Sequence, residues 1–372
     1  MNEEIQGQAD SKPLLTIAIP TYNRARYLRE LLSVLYDQLI DEPRVELIVS
    51  DNASPDETPA LVEEFQKRGL RIRSIRNETN IGADANFLQC FEQARGKYFW
   101  LFGDDDLIVP GGVGKILSLL EMDDFAVAYL SPYEFRANFL AERETDKLGR
   151  FAEVLPDGLQ LARRVGAMIT FISAVIVNKD FFPANARQML PDFVGTSLLQ
   201  LGWVCPMLAS NLRSLFVWER LVAGRGGNCA GWGACQVFGV NLLQVTGVTL
   251  VNREDIATTV CNGTLQNWFP GTILNIRSGA ANGLESENMR ELLECIYRGN
   301  WRYWIYVFPV IGLPLHLARA WYFVLRISIR LVRGGAMILG LILSRRNFIS
   351  NQNRPTVHPD SVNIIYSSGS QK

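Results

Sequence analysis

KYFWLFGDDD, residues Lys97 to Asp106, decides how this chain folds. An unbroken aromatic and aliphatic run with no polar alternation reads as a strand buried on both faces, and Gly103 ends it before three adjacent carboxylates, Asp104, Asp105 and Asp106. Toward the N-terminus, LLTIAIP (Leu14 to Pro20), VELIVS (Val45 to Ser50) and Arg71 to Arg76 read as three further strands. Between the first two, Leu28, Leu31, Leu32 and Leu35 recur at the spacing of one helix face, predicting a helix over Arg24 to Gln38. A second helix is predicted over Pro59 to Lys67; a third opens at Asn80-Ile81-Gly82 and carries Phe87, Cys90, Phe91 and Ala94 on one side. Alternating strands and helices imply an α/β fold with right-handed crossovers and a doubly wound, mostly parallel sheet. In such sheets ligands sit beyond the carboxyl ends of the strands. Here those ends are Pro20-Thr21-Tyr22-Asn23, Asp51-Asn52-Ala53-Ser54 and the Asp104 to Asp106 cluster.

The rest of the composition narrows the field. A chain of 372 residues has length for two or three structural units. Its 48% apolar content excludes a disordered or fibrous protein, and 37 Lys+Arg against 38 Asp+Glu excludes a chain that binds nucleic acid by overall charge. Six cysteines without a CxxC pair read as buried free thiols of a reducing compartment. Met1 to Lys12 is polar and lacks an apolar run, predicting no signal peptide and a first domain that stays in the cytoplasm. From Phe125 to Arg298 the pattern is harder to parse, with strand-like pieces at Ala126 to Leu130 and Phe171 to Val177 that are expected to continue the sheet.

Charge is uneven near the C-terminus, where no Asp or Glu occurs between Glu294 and Asp360. Tyr303 to Ala318 is uncharged but interrupted by Pro309, Gly312 and Pro314, and a bilayer span needs about 20 apolar residues. Arg319, Arg326, Arg330 and Arg333 fall within a helical sector of roughly 60° beside Trp321, Tyr322 and Phe323. That is the pattern of an interfacial helix on an anionic leaflet, favoured over a helix buried against the first domain by the absence of any acidic partner. Gly334 to Ser344, with Arg345 and Arg346 behind it, is read as a segment able to dip further into the bilayer.

Three adjacent carboxylates at a strand end repel one another and persist where something cationic neutralises them. Their hard oxygens suit Mg2+ or Mn2+, which commonly takes one or two carboxylates plus phosphate oxygens and water, implying a diphosphate-bearing ligand. In isolation the trio would read as a solvated turn or helix cap before Val113 to Leu120; its place opposite two other polar strand ends favours the metal. Asp51 suits either a base or ribose contact or a plain Asx-turn, and the two readings stay level. Tyr22 and Asn23 are candidates to stack on and bond a base, or, for Asn23, to cap the helix that follows. Asn80 and Gly82 either cap the third helix or leave room for a ligand. Trp232 with Gly224 to Asn228 reads as a sugar platform or, more ordinarily, as a buried ring beside Gly-rich turns. With only His316 and His358, both in the basic tail, a histidine triad is excluded, and there is no GxxxxGK[ST], GxGxxG or HExxH.

Taken in order, PTYNRARYLRELLSVL, VELIVSDNASPDETPALV and NIGADANFLQCFEQARGKYFWLFGDDD resemble the N-terminal half of the family 2 glycosyltransferases of GT-A fold, over roughly Leu14 to Leu120. The resemblance implies a nucleotide-diphospho-sugar donor bound near Pro20, Thr21, Tyr22, Asn23 and Asp51, with Asn80 and Gly82 lining the same cleft and Asp105 beside it. Asp104 and Asp106 match the two ends of that family's DxD motif, the first toward ribose and the last toward metal. Within the family, GDDD, FISAVIVN and VGTSLLQL are similar to bacterial O-antigen and abequosyltransferase-like members. The family's catalytic base is an Asp often preceded by Glu; Asp192, in LPDFVGTSLL, stands at the matching distance without the Glu, and Thr196-Ser197 is the other candidate for that place.

The resemblance divides the chain into a leader (1–13), a nucleotide-sugar half (14–120), an acceptor-side half (121–298), basic membrane-associated helices (299–350) and a tail (351–372). It implies transfer of one sugar to a polyprenyl-diphosphate-linked oligosaccharide at the cytoplasmic face of the inner membrane, with the enzyme held peripherally or monotopically. The rivals are a non-catalytic sugar-nucleotide binder or scaffold that kept the fold without the Glu-Asp pair, and a nucleotidyltransferase, whose basic Gly-rich loop PTYNRAR does not resemble.

Overall fold

The structure, a computed structural model, describes residues 12–146, 148–227, 231–280, 287–328 and 364–366. The chain divides into two compact units: Met1–Asn228 with Val240–Cys261 and Ile364–Lys372, and Cys229–Gly239 with Asn262–Asn363.

The apolar runs of the first unit become β1 (Leu15–Thr21), β2 (Val45–Asp51), β3 (Ile72–Arg76) and β4 (Tyr98–Leu101). They lie parallel in the spatial order β3-β2-β1-β4. The helices between them are α1 (Ala25–Leu39), α2 (Thr58–Lys67) and α3 (Ala83–Gln93). Leu28, Leu31, Leu32 and Leu35 are all buried, as their spacing requires. After β5 (Leu107–Ile108) and α4 (Gly112–Leu120), the sheet continues through β6 (Val127–Phe135), β7 (Ala152–Leu155), β8 (Val175–Asn178) and β9 (Ser214–Arg225), with β10 (Ile364–Tyr366) beside β7.

Beyond β4 the sheet is no longer uniformly parallel. β8 runs antiparallel to both β4 and β6, and β9 is parallel to β6 but antiparallel to β7 and β5. The sheet is mostly parallel as expected but mixed, because β8 reverses direction where the helical crossovers stop. Of Phe171 to Ala174, expected as the start of that strand, Ile172–Ala174 is instead a 3-10 turn.

Helices α5 (Gly158–Val165), α6 (Ala184–Met189), α7 (Leu201–Leu208), α8 (Leu242–Thr249) and α9 (Glu254–Gly263) follow in chain order. Trp203 of α7 stacks on Phe91 of α3 at 4.8 Å between ring centroids, joining the two halves of the sheet's helical layer. Cys90, Cys205 and Cys235 are buried free thiols as expected, and burial pushes those of Cys90 and Cys205 up to about 12; Cys261 is buried 3.7 Å from Thr246 Oγ1, Cys295 is exposed, contrary to expectation, and Cys229 lies outside the described residues.

The second unit is helical, with α10 (Phe269–Arg277), α11 (Met289–Tyr297) and α12 (Phe308–Gly312) around a core that includes Leu265, Phe269, Ile273, Leu293, Tyr303 and Val307. Wide π-turns at Thr264–Trp268 and Tyr303–Val307 precede α10 and α12, and each helix has proline at its second residue, Pro270 and Pro309. Proline donates no backbone hydrogen bond, so the turn before it loosens rather than closing as an α-turn. Arg277 donates to the carbonyls of Val310 and Leu313 and thereby satisfies the end of α12. Trp232 packs its ring against Phe238 within this unit. No helix among the described residues is long and apolar enough to cross a membrane.

β4 can enter beside β1 only because residue 96 is glycine. A Cβ there would stand 2.6 Å from Thr16 N, a backbone atom that cannot give way. Gly96→Ala is therefore expected to lower stability by about 1–3 kcal/mol, read as a drop in the urea unfolding midpoint at unchanged slope.

Candidate active site

Strand register gathers the polar residues. Thr21 pairs with Asp51 across β1 and β2, and Asp51 pairs with Arg76 across β2 and β3. The chain leaves β4 through Phe102, whose N–H bonds Ala18 O at 2.9 Å, and turns into Asp104 to Asp106 beside the end of β1. The three predicted strand ends do converge.

Asp104 and Asp106 are buried, 4% and 5% exposed. Asp104 accepts from Thr21 Oγ1 at 2.7 Å and lies 3.2 Å from Arg24 Nε, while Arg24 Nη2 donates to Asp105 Oδ2 at 2.7 Å. Asp106 accepts from Ser173 Oγ at 2.5 Å and from the Arg225 N–H at 2.9 Å. Arg225 also donates through Nε to the Asp105 carbonyl and pairs with Glu30. Gly103 is needed at the head of this turn: a Cβ would sit 3.0 Å from Asp106 Oδ2 and 3.3 Å from both Asp105 Oδ1 and Ser173 Oγ.

Desolvation pushes the carboxyls of Asp104 and Asp106 up to about 7, against the lowering effect of Arg24 on the first and Ser173 on the second. Part of the neutralising charge that the sequence reading assigned to a metal is thus supplied by Arg24. Among the described residues no group of three acidic, His or Cys side chains forms a metal cage. Buried carboxylates held short of full ionisation still fit a Mg2+ or Mn2+ ion that brings its other ligands from a diphosphate and water, with Asp104 and Asp106 as the protein's share.

Asp51 makes the Asx-turn of one of its two readings and keeps its second oxygen without a hydrogen-bond partner. Its Oδ1 accepts from the Ser54 N–H at 2.8 Å in an Asx-turn, while its buried Oδ2 has no hydrogen-bond partner and lies 3.4 Å from Arg76 Nε. A carboxylate oxygen only accepts, so Oδ2 suits a ligand that presents an N–H or O–H. Tyr22 is exposed. Asn23 does not cap α1: it has φ 55°, and its N–H bonds Ser54 Oγ at 2.9 Å. The first turn of α1 is served instead by Asp56, which accepts from the Ala25 N–H at 2.9 Å. Pro20 is buried within β1, opposite Ser50. Asn80 Oδ1 accepts from Asn52 Nδ2 and from the Gly82 N–H, and Gly82, at φ 88°, precedes α3. The N-cap of α3 is Gly82, with no side-chain cap hydrogen bond, so Asn80 braces the loop before the helix rather than capping it.

Asp192 is exposed in a 3-10 turn, Leu190–Phe193. The loop just beyond it is held by a residue the sequence reading missed. Asp84, in the first turn of α3, accepts from the Gly195 and Ser197 N–H groups, both at 2.8 Å, and burial pushes its carboxyl up. Thr196, the other candidate there, donates through Oγ1 to the Phe193 carbonyl, and Ser197 adopts φ 58°. Arg24, Ser173 and Arg225 were missed too. Arg24 stood in PTYNRAR, Ser173 in FISAVIV and Arg225 in the Gly-rich stretch, but nothing local to those segments marks a contact across 67 or more residues.

Residues 16–176 match the family model Glycosyl transferase family 2. Over 196 residues the chain is 31% identical to Abequosyltransferase RfbV of Salmonella typhimurium, covering 50% of this chain and 58% of that protein. Over 106 residues it is 30% identical to the GalNAc(5)-diNAcBac-PP-undecaprenol beta-1,3-glucosyltransferase of Campylobacter jejuni, covering 28% of this chain and 34% of that one. The chain spans about half the length of the curated relatives it matches. Among solved structures, S. aureus TarS 1-349 in complex with UDP shares the fold, with a TM-score of 0.54 at 18% identity over 85% of this chain and 91% of that one. Residues 16–176 thus match the family 2 glycosyl transferase model and are similar in part to the Salmonella abequosyltransferase, and the α/β fold of GT-A type that the sequence implied is the fold found.

Since the folded state holds protons on Asp104 and Asp106 that the unfolded chain has released, metal-free protein is expected to lose stability as pH rises from about 4 through about 7. Thermal unfolding in a chelator across that range measures it. Asp106→Asn flattens the slope; a melting point that instead climbs with pH contradicts the burial of these charges.

Proposed function

We propose, from the match of residues 16–176 to the family 2 glycosyl transferase model, that this chain transfers one sugar from a nucleotide-diphospho-sugar to an acceptor hydroxyl. The observation that carries the reading is the pairing of two buried carboxylates, Asp104 and Asp106, with the Oδ2 of Asp51, which has no hydrogen-bond partner, at a neighbouring strand end.

In this scheme Asp51 Oδ2 accepts an N–H from the donor's base, with Tyr22 exposed for stacking on its ring. Thr21 and Arg24 hold Asp104 and Asp105 in place, and Ser173 with the Arg225 N–H holds Asp106. A divalent ion bound by Asp104 and Asp106 would supply charge stabilisation to the departing diphosphate. Asp192 takes the proton of the acceptor hydroxyl as that oxygen attacks the anomeric carbon. Asp84 fixes the loop that follows it, which keeps this carboxylate from drifting.

The acceptor is proposed to be a polyprenyl-diphosphate-linked oligosaccharide of surface polysaccharide assembly. Support comes from the similarity to the Salmonella abequosyltransferase and the Campylobacter enzyme, whose name carries an undecaprenol-linked acceptor. A lipid-linked acceptor places the work at the cytoplasmic face of the inner membrane. Arg319 and Arg326 supply positive charge for that surface; Arg330 and Arg333, proposed from sequence for the same role, lie outside the described residues.

Asp51→Asn keeps an oxygen for the Ser54 turn but places an N–H2 where the ligand's donor would point. With a hydrogen bond to a charged group contributing about 1.5–3 kcal/mol, it should weaken nucleoside diphosphate binding roughly ten- to hundredfold in calorimetry. Asp192→Asn should lower kcat roughly a hundred- to ten-thousandfold with donor affinity unchanged. Asp106→Asn should abolish metal-dependent transfer; full transfer by that variant would overturn the role given to Asp106, and absence of transfer by the wild-type chain with any donor would leave the non-catalytic scaffold as the better account.

A further inference from the structure

The second unit carries a surface that the arginine pattern did not anticipate. Residues 315–328 form a helix in which Ala318 and Leu325 are buried and Leu315 and Tyr322 half-buried, one narrow stripe that packs inward. At about 100° per residue, Phe323, Ile327, Ala320, Val324, Leu317 and Trp321 then follow one another around an arc of roughly 160° on the opposite side. All six are exposed, Phe323 by 65% and Val324 by 54%. Only His316 and Ser328, at the two ends of the helix, interrupt the arc. Arg319 and Arg326 sit on its flank, between the arc and the buried stripe, rather than at its centre.

A helix that turns its apolar arc outward inverts the usual pattern of a surface helix. The arc is also not isolated. Trp321 Nε1 donates to the Ile305 carbonyl at 2.9 Å, which sets the helix beside a turn where Trp301, Trp304 and Ile305 are exposed as well. The indole N–H of Trp304 is likewise satisfied, by the Arg298 carbonyl at 2.8 Å, so both rings can enter an apolar phase without an unpaired donor.

Charge selects the occupant. Arg298, Arg319 and Arg326 are exposed, none forms an ion pair among the described residues, and no Asp or Glu lies between Glu294 and Asp360. A second copy of this face would set arginine against arginine. We infer that this aromatic and aliphatic arc is the face on which the second unit lies in an anionic bilayer, with Arg298, Arg319 and Arg326 at the level of the headgroups. The inference deepens the membrane placement proposed above and rests on it for location alone, since the arc, not the arginine stripe, carries it.

The test is sedimentation of the full chain with vesicles of phosphatidylethanolamine, with and without phosphatidylglycerol. Wild type is expected to bind the anionic vesicles at least about tenfold better than the neutral ones, and less well at high salt. Phe323→Glu with Ile327→Glu should release it from both. Arg319→Glu with Arg326→Glu should remove only the preference for phosphatidylglycerol. These side chains are exposed, so folding should survive; Phe323→Ser with Ile327→Ser serves if the glutamates do not fold. Unchanged sedimentation of the Phe323 and Ile327 variants overturns the inference. So does a dimer in light scattering that those variants split while wild type ignores vesicles. Nucleoside diphosphate binding, measured on the same proteins, separates the two readings: its loss alone counts against the glycosyltransferase assignment and leaves the surface standing.

Discussion

Burying two neighbouring carboxylates at the end of a central strand is the constraint on which the rest of the first unit depends. Each of Asp104 and Asp106 would carry a large desolvation cost alone, and the fold offsets it with donors from four separate segments: Thr21, Arg24, Ser173 and Arg225. Those donors come from the end of β1, the start of α1, the turn before β8 and the end of β9. The mixed sheet can be understood from that requirement. β8 must reverse beside β4 for Ser173 to reach Asp106, and β9 must end near the same turn for the Arg225 N–H to do so. Even so the charge is only partly compensated, since burial still pushes both carboxyls to about 7. A cationic ligand would find its site already shaped.

What the sequence made legible follows from period and order. The run from Lys97 to Phe102 and the leucine spacing of the first helix are local signals, and the structure returns them within a residue or two. Strand-end convergence was legible because parallel sheets put their loops at one edge. The partners of the carboxylates were not, because Arg24, Ser173 and Arg225 meet them across 67 to 119 positions, where no periodicity operates. Asn23 shows a different failure. Its type suits a helix cap, yet Asp56 from the next loop serves α1 and frees Asn23 to take a left-handed turn against Ser54. Asp51 was ambiguous for a physical reason: one carboxylate has two oxygens, and here one closes a turn while the other, beside Arg76, has no hydrogen-bond partner.

In the second unit the same contrast holds. Pro309 looked like an interruption of an apolar run, and it proves to be one of two prolines, with Pro270, that open π-turns ahead of short helices. The sequence alone grouped the arginines in one narrow helical sector but did not say which way that sector faces. Packing supplies what that grouping lacks, the direction of the core. Once Ala318 and Leu325 are known to face inward, Arg319 and Arg326 become the edge of the outer surface and the apolar side chains its middle.

The central claim is that Asp104 and Asp106 share a cation with a diphosphate whose nucleoside reaches Asp51. A crystal of the full chain soaked with Mn2+ and a nucleoside diphosphate, recorded for manganese anomalous scattering, tests it most directly. The account predicts an anomalous peak against Asp104 and Asp106 with the base on Asp51 Oδ2. Nucleotide bound elsewhere, with no manganese beside those two carboxylates, would contradict it.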